Sequence, residues 1–171
     1  MKVIHTTLLL LCTYISLAQT KPMVLTNTLE FVMEYPVNPI TSYISTHFGY
    51  AKNSTTYYNN ESTTISTAKN AKVYCNVDTA TVTSILNDEG TSIIFLRKHN
   101  YIIVLANLKN TKVAIGQCIT MGTTIGDIAV NEMDKSKGLV ELMLFKNNKV
   151  INPELYLRKV VNSKSVVVVM K

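Results

Sequence analysis

The chain has 171 residues and carries 17 Lys and Arg against 11 Asp and Glu, a formal net charge of +6. The basic residues are scattered and do not gather into a stripe, which argues against a nucleic-acid-binding face and for a solvated surface with weak affinity for anionic polymers. With its first 18 residues set aside, about 150 residues remain, enough to bury a core as one domain without cross-links.

Those first residues read as an export signal. Lys2 gives a basic start, an apolar run from Leu8 to Leu11 continues past Cys12 through Ile15 and Leu17, and small Ala18 precedes Gln19. The run is too short and too weakly flanked to span a membrane, so a signal peptide over 1–18 with cleavage after Ala18 is expected. The alternative is a lipoprotein acylated at Cys12, but Leu11 stands where a small residue is required. No second apolar span follows, so no membrane span is expected after cleavage. The two cysteines that remain, Cys75 and Cys118, are compatible with one disulfide in an exported compartment or with two free thiols in apolar runs.

A lead-in over 19–39 contains Thr28 to Tyr35, ambiguous between strand and short helix, before Pro36 and Pro39. The stretch from Ile40 to Tyr50 reads as a strand entering a turn at Gly49. Ala51 to Thr64, rich in Asn, Ser and Thr, reads as a polar loop that adds little to a core. Branched-residue runs then recur at Val73 to Val77, Thr81 to Leu86 and Thr91 to Arg97, with Asp78, Asn87, Asp88 and Gly90 supplying turns. Tyr101 to Ile128 reads as a meander: a strand over Tyr101 to Leu105, a turn near Asn110, a segment over Val113 to Ile115, and glycines at 116, 122 and 126 that mark tight turns or close backbone approaches. After a loop over 131–138, Leu139 to Phe145 is a strand. Lys146 to Lys149 is a hairpin turn whose two asparagines tolerate positive φ, Val150 to Asn152 returns, and Pro153 stops it. Ser165 to Met170 is a strong strand former within an extension over 158–171, and is expected to be paired or covered.

Short strands at roughly ten-residue spacing, with no sustained amphipathic helix, place the chain in the all-β class, as an antiparallel β-sheet sandwich or partly closed barrel.

Five segments in order, HFGY at 47–50, NAKVYCNVDTATVTSI at 70–85, HNYIIVLANL at 99–108, VAIGQCITMGTTIG at 113–126 and LFKNNKVINPELYL at 144–157, resemble the lysostaphin-like M23 metallopeptidase domain. The resemblance covers about residues 40–157 and implies the duplicated-hybrid-motif type of β fold. It also implies a zinc ion held by two histidines and an aspartate, with further histidines handling protons. The sequence departs from the family at each of those positions. The HxxxD pair falls on Asn60 and Thr64, the two histidines of the HLH element on Leu139 and Glu141, and the histidine of the YAHL element on Asn107. Amides, a hydroxyl and an aliphatic side chain are poor zinc donors, and no histidine lies between Asn100 and Lys171. Loss of the zinc site, and therefore no cofactor, is expected.

Of the remaining histidines, His47 stands beside the FGY turn and His99 at a turn position that the family does not use for zinc. Strand alternation leaves two places for Glu141: a groove, where it would recognise an amine or lysine of a bound peptide, or the solvent face. The resemblance thus implies an exported, catalytically inactive module of the periplasm or cell envelope, binding a cell-wall peptide or an envelope protein such as a peptidoglycan amidase. The loop over 51–64 replaces the family's ligand-bearing loop and is expected to make specific contacts. One competing reading is an active zinc endopeptidase using Glu141, His47 and Asp78 or Asp127. Another is a structural subunit that adds the Val166 to Val169 strand to a neighbour's sheet.

Overall fold

The computed structural model describes residues 31–52, 55–130 and 134–158. The export signal, Cys12 and the Ser165 to Met170 run lie outside the described residues. Fourteen strands are described: β1 (Met33–Glu34), β2 (Tyr43–Thr46), β3 (Gly49–Lys52), β4 (Tyr57–Asn60), β5 (Thr63–Ala68), β6 (Lys72–Tyr74), β7 (Thr79–Asp88), β8 (Thr91–Lys98), β9 (Tyr101–Lys109), β10 (Cys118–Thr120), β11 (Thr124–Ile128), β12 (Lys137–Lys146), β13 (Lys149–Ile151) and β14 (Leu157–Arg158), with one 3-10 turn at Pro153–Leu155.

Ten strands form one antiparallel sheet, whose main path runs β10-β7-β8-β9-β12-β5-β2. Off that path β11 joins β6 and β9, and β13 joins β12. The sheet stays open, ending on β10 and β2. The central strands bury one face: Val140, Leu142 and Leu144 of β12 are fully buried, as are Ile103 and Leu105 of β9 and Ile94 and Leu96 of β8. Burial of one face at period two is what fixes this register, because a slip of one residue would turn all of these side chains to the other face.

Tight turns join the central strands. Asn147 and Asn148 both hold positive φ (51° and 62°) between β12 and β13, as the Lys146 to Lys149 hairpin requires. Glu89 and Gly90 do the same between β7 and β8. Gly126 permits a close approach instead. A Cβ there would stand 3.0 Å from the Lys109 carbonyl oxygen, so β11 lies against the end of β9 only because the side chain is absent.

The lead-in is built into the core. Phe31, Met33 and Val37 are buried, and Phe31 stacks against Tyr101 and Tyr156 with ring centroids 4.1 and 5.5 Å away. Thr28 to Tyr35 resolves, over its described part, as extended chain: β1 pairs in parallel with β14.

Two expectations need correction, and one open alternative is decided. Ala51 to Thr64 is not a loop, because β3 and β4 form a hairpin over Gly49 to Asn60 and Thr63 and Thr64 open β5 inside the main sheet. Asn, Ser and Thr favour turns through local side-chain hydrogen bonds, but Tyr57, Tyr58, Thr63 and Thr64 are strand here. Thr63 is fully buried, so the segment does contribute to the core. Val113 to Ile115 is a connector, with Lys112 N donating to the Ile125 carbonyl and Ala114 N to the Gln117 side chain. Cys75 and Cys118 are free thiols, the first buried and the second exposed. The Cys75 thiol donates to the Val77 carbonyl at 3.4 Å, and burial pushes its pKa up, which makes it unreactive.

Candidate functional site

Alternation along β12 puts Glu141 on the face of the sheet opposite the core. Val140 and Leu142 point into the core, so Leu139, Glu141, Met143 and Phe145 occupy the opposite, outer face, all half-buried. Registers across the sheet extend this face. Glu141 lies directly opposite Thr64 of β5 and Ala106 of β9, Met143 opposite Val104, and Phe145 opposite Ile102. Val104 is in turn opposite Phe95 of β8, and Leu139 opposite Ser66. Val104 is only 3% exposed yet lies outside the main core cluster. The outer face therefore has an apolar layer of its own, built from Phe95, Ile102, Val104, Met143 and Phe145, and Glu141 stands beside it. Among the described residues Glu141 has no lysine or arginine partner.

The expected ligand positions converge only in part. Thr64, Leu139 and Glu141 share the outer face. Asn107 follows Ala106 at a bulge between β8 and β9, with φ of 62° and its carbonyl accepting from Ala129 N. Asn60 ends β4 and is used up locally: its amide donates to the carbonyls of His47 (2.9 Å) and Ser62 (2.7 Å) and accepts from the Ser62 hydroxyl (3.1 Å). Two amides, one hydroxyl, one leucine and one carboxylate are a poor donor set for zinc, which favours imidazole, thiolate and carboxylate ligands.

The alternative ligands are dispersed. His47 Nδ1 lies 2.9 Å from Glu154 Oε2, while Glu154 Oε1 accepts from Phe48 N at 2.8 Å and from the Thr63 hydroxyl at 3.1 Å. Glu154 is the residue that sequence reading overlooked. It sits in the 3-10 turn, where Asn152 caps its N–H at 2.9 Å, and it ties the strand entry at His47 to the start of β5. The Asn-Pro-Glu run after a hairpin was the signal for it, a capping residue followed by an acid. His99 is exposed in the turn between β8 and β9 with φ of 51°. Asp78 accepts from Lys98, and that bond holds its carboxyl below the usual range. Asp127 accepts from Lys72 at 2.5 Å and Asn110 at 3.0 Å. Among the described residues, no three His, Cys, Asp or Glu side chains come together.

Asp127 carries a pH prediction. The Lys72 ammonium, and after it the Asn110 amide, hold the folded carboxyl below its ordinary value. A carboxyl depressed by folding contributes stability above its unfolded pKa of about 4 and loses it as pH falls through the folded value. Urea midpoints followed from neutral pH down into acid should therefore fall less steeply for Asp127→Asn than for the wild type. Parallel curves would show that the pair contributes nothing to acid sensitivity.

No family model matches the chain, and no curated protein matches it. Solved structures do. Csd3 of Helicobacter pylori superposes with a TM-score of 0.62 at 17% identity, over 76% of this chain and 36% of that one, so the present chain spans about a third of Csd3. A chain of the SpoIIQ-SpoIIIAH pore forming complex gives a TM-score of 0.62 at 16% identity, over 78% of this chain and 95% of that one. Lysostaphin gives 0.56 at 12% identity, over 75% and 57%. At such identities the likeness is one of fold: the chain is built as an open, nearly all-β domain of the kind found in lysostaphin and in a peptidase M23 of Pseudomonas aeruginosa.

Proposed function

We propose, from a fold shared with M23 peptidases, that the chain is an exported, catalytically inactive binding module of the cell envelope. One observation carries the reading: the outer face of the central sheet keeps a continuous apolar layer and a carboxylate, Glu141, where a metallopeptidase of this fold needs its metal donors, while Leu139, Asn60, Thr64 and Asn107 occupy the other expected positions. A face of this kind binds without cleaving. Its apolar floor takes up side chains of an extended peptide, and Glu141 receives a cation or an amide N–H. A cell-wall peptide, or a segment of an envelope protein such as a peptidoglycan amidase, fits that description. Likeness to a chain of the SpoIIQ-SpoIIIAH complex, nearly over its full length, supports an envelope protein as partner. Among the described residues no helix is long and apolar enough to cross a membrane.

The test is metal content of the purified protein, together with hydrolysis and co-sedimentation of purified peptidoglycan with zinc added. The expected result is no stoichiometric zinc, no cleavage, and either retention on peptidoglycan or capture of one envelope protein that Glu141→Arg abolishes. One tightly bound zinc with turnover would overturn the proposal and favour the reading in which Glu141 and His47 bind metal.

A further inference from the structure

At the corner where β2 ends the sheet, the outer face carries a second feature. Thr41, Tyr43, Ser66, Ala68, Ser136 and Lys137 line a shallow depression of about 320 Å³. Register explains why they meet. Tyr43 is opposite Ser66 on β5, and Ala68 is opposite Lys137 at the start of β12, so three strands present these side chains on one face. The polar groups here are hydroxyls and one ammonium, all able to donate. Lys137 Nζ lies 3.4 Å from Tyr43 Oη, and Ser66, only 1% exposed, is paired directly opposite Tyr43. Asp134 is the nearby acid, but its Oδ1 is taken by the Ser136 N–H (3.0 Å) and hydroxyl (2.5 Å). Its Oδ2 stands 3.5 Å from Lys137, a contact between half-exposed groups. Such an exposed pair is weak, so the ammonium is available to a better acceptor.

We propose that this corner is a carboxylate-binding subsite, in which the Lys137 ammonium and the Tyr43 phenol, side by side at 3.4 Å, donate to the two oxygens of one carboxylate. A charge-assisted bond from lysine beside a neutral donor suits a flat, singly charged group. The corner takes a carboxylate whether or not the neighbouring apolar face binds an envelope peptide, since none of these residues lies at an expected zinc position.

The test titrates the full protein with N-acetyl-alanyl-alanine, with its C-terminal amide, with N-acetyl-glutamic acid α-amide and with inorganic phosphate, following the backbone amide NMR signals of residues 66–68 and 136–138. The free acids should shift these signals saturably and the dialanine amide should not. Tighter binding of the dialanine acid assigns a main-chain carboxylate, and tighter binding of the glutamic acid derivative an acidic side chain. Lys137→Ala should weaken either by about tenfold, as expected for one charged hydrogen bond, and Tyr43→Phe by less. Equal binding of acid and amide, tighter binding of phosphate than of either acid, or an unchanged affinity in Lys137→Ala would each overturn the assignment.

Discussion

Leu142→Ala should cost about 3 kcal/mol, within the range for truncating a buried leucine, and lower the thermal midpoint by roughly 10 °C for a domain of this size. Leu142 is fully buried and stands at the centre of the sheet, opposite Thr63 on β5 and Leu105 on β9. Those strands are held in place by backbone pairing and cannot collapse into the space left. Glu141→Gln, one residue earlier on the same strand, should change stability by less than about 0.5 kcal/mol, because a half-exposed side chain with no ionic partner among the described residues has little to lose. Yet Glu141, and not Leu142, is the residue whose replacement should alter binding. Urea denaturation of both variants separates the two faces, and a comparable loss in each would mean that Glu141 is a core group and that the binding surface lies elsewhere.

Glu154→Ala is the second large effect, expected at about 2 kcal/mol. The carboxylate accepts from Phe48 N, from the Thr63 hydroxyl and from His47. Thr63 is fully buried, so removing the acceptor strands its hydroxyl, and a buried unsatisfied polar group costs about 1–3 kcal/mol. Glu154→Gln, which keeps one acceptor oxygen, should recover part of the loss. Hydrogen exchange gives the local readout: the Phe48 amide should exchange faster in Glu154→Ala. Unchanged protection there would show that the tie is not maintained in solution. His47→Ala should matter much less, since the imidazole side chain is 71% exposed and exposed pairs contribute little.

Glu154 also shows where sequence reading stops. Its role depends on partners 91 and 106 residues away, and no local pattern encodes such a distance. The segment over 51–64 was misread for a related reason. Its composition is that of a loop, but Thr63 and Thr64 are drawn into the sheet between β12 and β2. Pairing with strands distant in the chain overrode the local preference of Thr and Asn for turns. By contrast, the Asn147-Asn148 turn and the close approach at Gly126 were legible because each is set by the backbone freedom of the residues themselves.

The sequence by itself determined that the chain is all-β, with strands marked by branched residues at period two and turns by Asn and Gly. At the positions where the resemblance expects metal donors, residue identity alone makes Asn60, Thr64, Asn107 and Leu139 poor zinc ligands. Only the tertiary structure decided that Glu141 stands on the outer face opposite Thr64, that Glu154 ties His47, Phe48 and Thr63, and that Tyr43 meets Lys137 across 94 positions of chain. For Glu141 and Tyr43 the reason is that a strand's two faces are equivalent until pairing registers, set by burial across the whole sheet, commit one of them to the core; for Glu154, in its turn, it is that the partners are brought to it only by the packing of distant segments.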